Sequence, residues 1–71
     1  MKLKELYEKT VNAGYAIDMI GSVGRADEWR DVIPEYADEF LETEGDREIY
    51  DFAIQKEQKI LIVKFAGKEE S

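Results

Sequence analysis

Carboxylates are the only chemically active side chains this protein holds in number. It has 17 Asp and Glu against 10 Lys and Arg, and no His or Cys among its 71 residues. Carboxylates do three kinds of work: they pair as general acid and base, gather around hard cations, or build a negative field. The first requires a carboxyl group desolvated in a cleft. Asp18, between Ile17 and Met19, is the best single candidate, but alternation along a strand turns it to solvent. The hydroxyls (Ser22, Ser71, Thr10, Thr43 and four Tyr) have no His to activate them. Without Cys there is no thiolate nucleophile, zinc–thiolate site or disulfide framework. We therefore expect neither an enzyme nor a cofactor.

Oxygen ligands for a cation concentrate at Glu42-Thr43-Glu44-Gly45-Asp46. That spacing departs from the EF-hand loop, which needs ligands at alternate positions and a Glu at the twelfth. A polar helix-to-strand turn is the simpler reading of these residues. Divalent-cation binding through clustered carboxylates is kept as an alternative function.

The negative field is the third option, and the placement of charge favours it. Residues 1–13 carry a net +1 and residues 52–71 a net +1, whereas residues 14–51 hold twelve acids and three Arg, a net −9. A surface of one sign repels nucleic acid and attracts basic partners. Direct DNA or RNA binding is not expected, because Lys and Arg supply most of that affinity. Gly21-Ser22-Val23-Gly24-Arg25 spells a GxxG loop of the kind that clamps nucleic-acid backbone, yet Asp27 and Glu28 follow at once, so a plain turn fits better. The plain alternative for the charge itself is solubility, since a net −7 is ordinary for a small domain.

The elements that position these carboxylates follow from periodicity. A chain this short forms one domain and buries only about 60% of its unfolded surface, so its core needs nearly every large apolar side chain. Leu3, Leu6, Tyr7, Thr10 and Val11 recur at helical spacing, and Gly14 stands where a left-handed residue ends a helix. Residues 15–20 read as a strand stopped by Gly21. Residues 25–33 fit a helix or a short strand hairpinned to 15–20, and Pro34 tilts the choice to the strand. Pro34 also suits the first position of a helix that ends at Gly45. Residues 48–55 and 59–65 form a hairpin about Lys56-Glu57-Gln58, with Tyr50, Phe52 and Ile54 on one face. The unbroken Ile60-Leu61-Ile62-Val63 needs cover on both faces, from helices on each side or from a second copy. The whole is α+β: two helices with a small, mostly antiparallel sheet of three to four strands, in the order α-β-β-α-β-β or α-β-α-β-β. Residues 1–66 form the single domain and residues 67–71 a flexible tail.

On the helix from Pro34, Glu35, Asp38, Glu39 and Glu42 fall within a sector of about 100°, opposite Tyr36, Ala37, Phe40 and Leu41. Four carboxylates in eight residues span roughly 10 to 12 Å of helix. One DNA strand presents a phosphate about every 3.4 Å, a charge density of the same order. Such a face fits a basic groove that normally holds nucleic acid. Trp29, the only Trp, is either a core anchor or an exposed anchor of that contact, with Tyr36 beside it.

The opening Leu3-Lys4-Glu5-Leu6-Tyr7, the helix entry Val32-Ile33-Pro34-Glu35-Tyr36 and the closing Ile60-Leu61-Ile62-Val63 resemble small accessory proteins of bacterial phages and mobile elements. Some of these are anti-CRISPR inhibitors, which bind a nuclease complex and block DNA loading, often through acidic surfaces. The resemblance implies a non-catalytic inhibitor whose partner is a CRISPR effector with a basic surface. The expected partner-binding residues are Trp29, Glu35, Asp38, Glu39 and Glu42. The alternative of another class is a structural or self-associating protein, a homodimer through the Ile60–Val63 strand. No apolar run is long enough to span a membrane, and Met1-Lys2-Leu3-Lys4-Glu5 opens no signal peptide, so a cytoplasmic protein is expected.

Overall fold

Leu3, Leu6 and Thr10 share one side of the first helix, α1 (Leu3–Asn12), and all three are buried. The Glu5 carboxylate accepts the Lys2 N–H at 3.1 Å and holds the helix start. Thr10 Oγ1 donates to the Leu6 carbonyl at 2.8 Å, which satisfies a hydroxyl inside the core. Gly14 leaves the helix at φ +105°, the left-handed exit expected there.

The computed structural model describes residues 1–23 and 32–66. After α1 come β1 (Met19–Ser22), β2 (Ile33–Tyr36), α2 (Ala37–Glu44), β3 (Ile49–Gln55) and β4 (Ile60–Phe65). This is the α-β-β-α-β-β order. The sheet runs β2-β1-β4-β3, with antiparallel pairs at each side and a parallel β1–β4 pair at the centre. Among the described residues no helix is long and apolar enough to cross a membrane.

Ile20, Leu61 and Val63 join Leu3, Leu6, Ile17, Ala37 and Phe40 in one buried cluster. Ile20 lies opposite Leu61, and alternation puts Val63 on the same sheet face, so both helices cover that face. Among the described residues the expectation of helices on both sides of Ile60–Val63 therefore gives way to a two-layer arrangement. β4 is flanked by hydrogen-bonded strands on both edges, which leaves only its outer-face side chains for a second copy. On that outer face Ile62 is only 4% exposed. Part of the cover there is Val32: a Cβ on Gly21, the register neighbour of Ile62, would collide with Val32 Cγ1.

Three local expectations shift. The strand read over 15–20 begins at Met19 and continues through Gly21 and Ser22, so these two are not a turn. The cause is pairing: Asp18 and Met19 N–H groups both donate to the Lys59 carbonyl, at 2.8 and 3.2 Å, and β4 begins only there. Pro34 is not the first residue of a helix but sits within β2 opposite Gly21, and the helix starts at Ala37. Its fixed φ serves an edge strand as well as a helix start, and the residue before it must be extended in either case. The hairpin forms as expected, but a register shift between Ile49 and Asp51 leaves Tyr50 exposed while Ile49, Phe52 and Ile54 pair with Phe65, Val63 and Leu61. β2 pairs with β1 as the strand reading of 25–33 expects, although residues 25–31, including Trp29, and the tail 67–71 lie outside the described residues.

Gly21→Ala should lower stability by about 1–3 kcal/mol, the usual penalty for overpacking. Urea denaturation measures it, and a Val32→Ala change in the same chain should restore most of the loss. A neutral Gly21→Ala would contradict the close packing of Val32.

Candidate functional site

An eight-residue helix has little stability of its own, and α2 has no side-chain N-cap and no basic residue in its last turn. Packing holds it. Ala37 and Phe40 are buried, Leu41 is half-buried, and the Phe40 ring stacks on Phe65 with centroids 6.2 Å apart and planes within 7°. The Arg47 guanidinium lies 3.9 Å from the Phe65 ring centroid and extends the stack. The chain leaving α2 is tied to α1, whose Leu3 and Lys4 N–H groups donate to the Arg47 and Gly45 carbonyls, each at 3.0 Å. With its apolar side fixed, α2 turns Asp38, Glu39 and Glu42 outward, and all three are exposed.

Glu35 belongs to β2, not to the helix, so the four carboxylates form a strand-to-helix junction instead of one helical stripe. Glu35 pairs with Ile20 and so stands on the helix-bearing side of the sheet, exposed and next in line to α2. Four of the five residues expected to bind a partner are thus brought to one region. The fifth, Trp29, lies outside the described residues.

Ion pairs divide the acids into two groups. Glu44 meets Arg47 at 2.9 Å, Asp46 meets Lys4 at 3.4 Å, and Glu48 meets the Met1 ammonium at 2.9 Å. These three neutralise the turn after α2. Among the described residues no ion pair reaches Glu35, Asp38, Glu39 or Glu42. The residues considered for a cation, Glu42 to Asp46, therefore have two carboxylates already committed to Lys4 and Arg47. Among the described residues no group of three or more carboxylates is placed to hold a metal ion.

Two shallow hollows flank Asp38. One, of about 410 Å³, has Asp18, Asp38 and Glu39 on its rim with the rings of Tyr7 and Tyr36. Ile17 and Ala37 form its floor. The other, of about 360 Å³, lies between Lys4, Leu41, Glu42 and Asp46. Carboxylates placed this way can meet the charge of a cationic group, and phenol rings its flat or methylene portions. Asp18 and Tyr7 were not foreseen as part of it. They stand 20 and 31 residues before Asp38 in the chain, and no local pattern joins them. What brings Asp18 in is the β1–β2 pairing, extended by the Ala37 N–H, which donates to the Asp18 carbonyl at 3.2 Å.

Asp38 and Glu42 are like charges four residues apart, and Glu42 sits at the negative end of the helix dipole. Glu42→Gln should therefore raise stability by about 0.2–0.5 kcal/mol at low salt. The gain should vanish near 1 M NaCl, where the screening length falls to about 3 Å. Urea unfolding at the two salt concentrations checks this, and a loss of stability would show that Glu42 has a favourable partner. Comparison of the chain with protein-family models, with curated proteins and with solved structures finds no match.

Proposed function

We propose that this protein is a non-catalytic inhibitor of the anti-CRISPR type, whose acidic junction occupies a basic nucleic-acid-binding surface of a CRISPR nuclease complex. The observation that carries the reading is the division of charge. The turn at Glu44, Asp46 and Glu48 is matched by the chain's own cations, whereas Glu35, Asp38, Glu39 and Glu42 are left exposed and unmatched among the described residues. Like charges held together on a small helix oppose folding, and contact with a cationic partner would offset that cost.

The geometry supports the kind of partner. α2 is about 12 Å long at 1.5 Å per residue, and a phosphate backbone places its charges about every 3.4 Å along one strand. Three helix carboxylates with Glu35 reproduce that density on a rigid support. The partner's Arg and Lys side chains lose their nucleic acid and gain the carboxylates. Tyr7 and Tyr36 add contact area that charge alone does not give. Association through exposed charge is fast and weakens with salt.

The test is target-DNA binding by purified CRISPR effector complexes of several types, measured with and without the protein. At least one complex should lose DNA binding, less so as salt rises. The double variant Asp38→Lys with Glu42→Lys should keep its circular dichroism spectrum and lose inhibition by more than tenfold, since like-charge contacts at an interface are worth several kcal/mol. Equal inhibition by the folded double variant would remove the electrostatic account, and no effect on any complex would remove the partner class.

A further inference from the structure

Among the described residues, each outer strand of the sheet carries a residue that takes away an outward-facing amide donor, and the start of β3 is already covered by the chain's own Met1–Leu3, whose Met1 carbonyl accepts the Ile49 N–H at 2.8 Å. The direction of each amide follows from the hydrogen bonds of the two inner strands. Met19 N–H donates to the Lys59 carbonyl and Val23 N–H to the Val63 carbonyl, so the odd-numbered residues of β1 face β4. Its even-numbered residues face β2, where the Asp18 carbonyl accepts the Ala37 N–H. By register, Ile33 and Glu35 of β2 then bond inward, and the backbone groups of Pro34 and Tyr36 face away from β1. Pro34 has no N–H to offer there.

The other edge follows the same rule. The odd-numbered carbonyls of β4 serve β1, so Ile60, Ile62 and Lys64 face β3, and their partners Gln55, Ala53 and Asp51 bond inward. Phe52 and Ile54 are left facing outward. The Phe52 N–H is already taken: it donates to Asp51 Oδ1 at 2.8 Å. The irregular register between Ile49 and Asp51 further interrupts this edge. Yet β3 is the strand with most to gain from pairing, since Tyr50 is 69% and Phe52 44% exposed.

We propose that Asp51, with Pro34 on the opposite edge, keeps this protein monomeric by closing the sheet to a further strand. The strand excluded at β3 is the same strand of a second copy. Two copies of β3 laid antiparallel about Ala53 set each Phe52 opposite the other copy's Ile54, a pairing that needs the donor Asp51 occupies. Each copy would also bring a carboxylate to the joint. This is independent of the inhibitor reading.

Light scattering during size-exclusion chromatography, across a concentration series, tests it. The wild-type chain should stay at its 8.2 kDa monomer mass. Asp51→Ala should associate, with the mass at least doubling, while Asp51→Asn keeps a side-chain carbonyl on the Phe52 amide and stays monomeric. Glu57→Gln, which removes the same charge from the hairpin turn, should also stay monomeric. A folded Asp51→Ala chain that remains at monomer mass, or a wild-type chain that associates, overturns the proposal. If Asp51→Ala does not fold, amide exchange in the wild type decides. Phe52 should exchange several-fold more slowly than Ile54, and equal rates overturn the proposal.

Discussion

The stacking of Phe40 on Phe65 and its burial against Ile20 and Leu61 are what the surface of this protein depends on. α2 is too short, too acidic and too poorly capped to persist by itself. One aromatic anchor, with Ala37 beside it, sets which side of the helix is hidden. Once that is settled, the outward direction of Asp38, Glu39 and Glu42 is no longer free, because residues one and two positions from Phe40 are turned about 100° and 200° away from it around the helix. A buried Phe is worth about 3–5 kcal/mol against Ala. The repulsion among neighbouring acids is a few tenths of a kcal/mol per pair, so packing wins by a wide margin. The acidic junction is thus supported from beneath and needs no cations of its own.

The same economy governs the rest of the fold. Both helices lie on one side of the sheet, and their ends are joined through backbone bonds from Leu3 and Lys4 to Arg47 and Gly45. The basic residues near that join, Lys4 and Arg47, go to Asp46 and Glu44. They consolidate the turn and leave the strand-to-helix junction as the strongly negative part of the described surface. On the outer face, Val32 fills the space that Gly21 leaves open. At the edges, Pro34 and Asp51 limit what the strands can accept. A two-layer domain with one charged face is the physical sum of these features among the described residues.

Much of this was legible in the residues. The i, i+3, i+4 spacing of Leu3 to Val11 with Gly14 beyond it located α1 closely, and the apolar run at 60–63 flanked by turn residues located the hairpin and β4. The order α-β-β-α-β-β is one of the two that the periodicity allows. What periodicity does not contain is partner choice. Nothing in Met19 to Ser22 says that it lies parallel to β4, and that pairing is what moves β1 four residues later than residue 15, where its reading began. Pro34 misled because one fixed φ suits two elements, and only its place opposite Gly21 separates them. Glu35 moved with it from helix to strand. The acids of α2 were found because helical spacing is local information. Asp18 and Tyr7 were missed because they arrive by tertiary contact. The hairpin loop lacked an Asn-Gly signal and closes instead with Lys59 in the left-handed region at φ 59°.

The most direct measurement of the central claim is carbodiimide labelling of the carboxylates, read residue by residue by mass spectrometry, with the protein alone and bound to a CRISPR effector complex it inhibits. Glu35, Asp38, Glu39 and Glu42 should label readily in the free protein and be protected in the complex. Glu5 and Glu8, exposed on α1, should label equally in both states. Protection centred on α1, or a junction that labels identically in both states, would contradict the central claim.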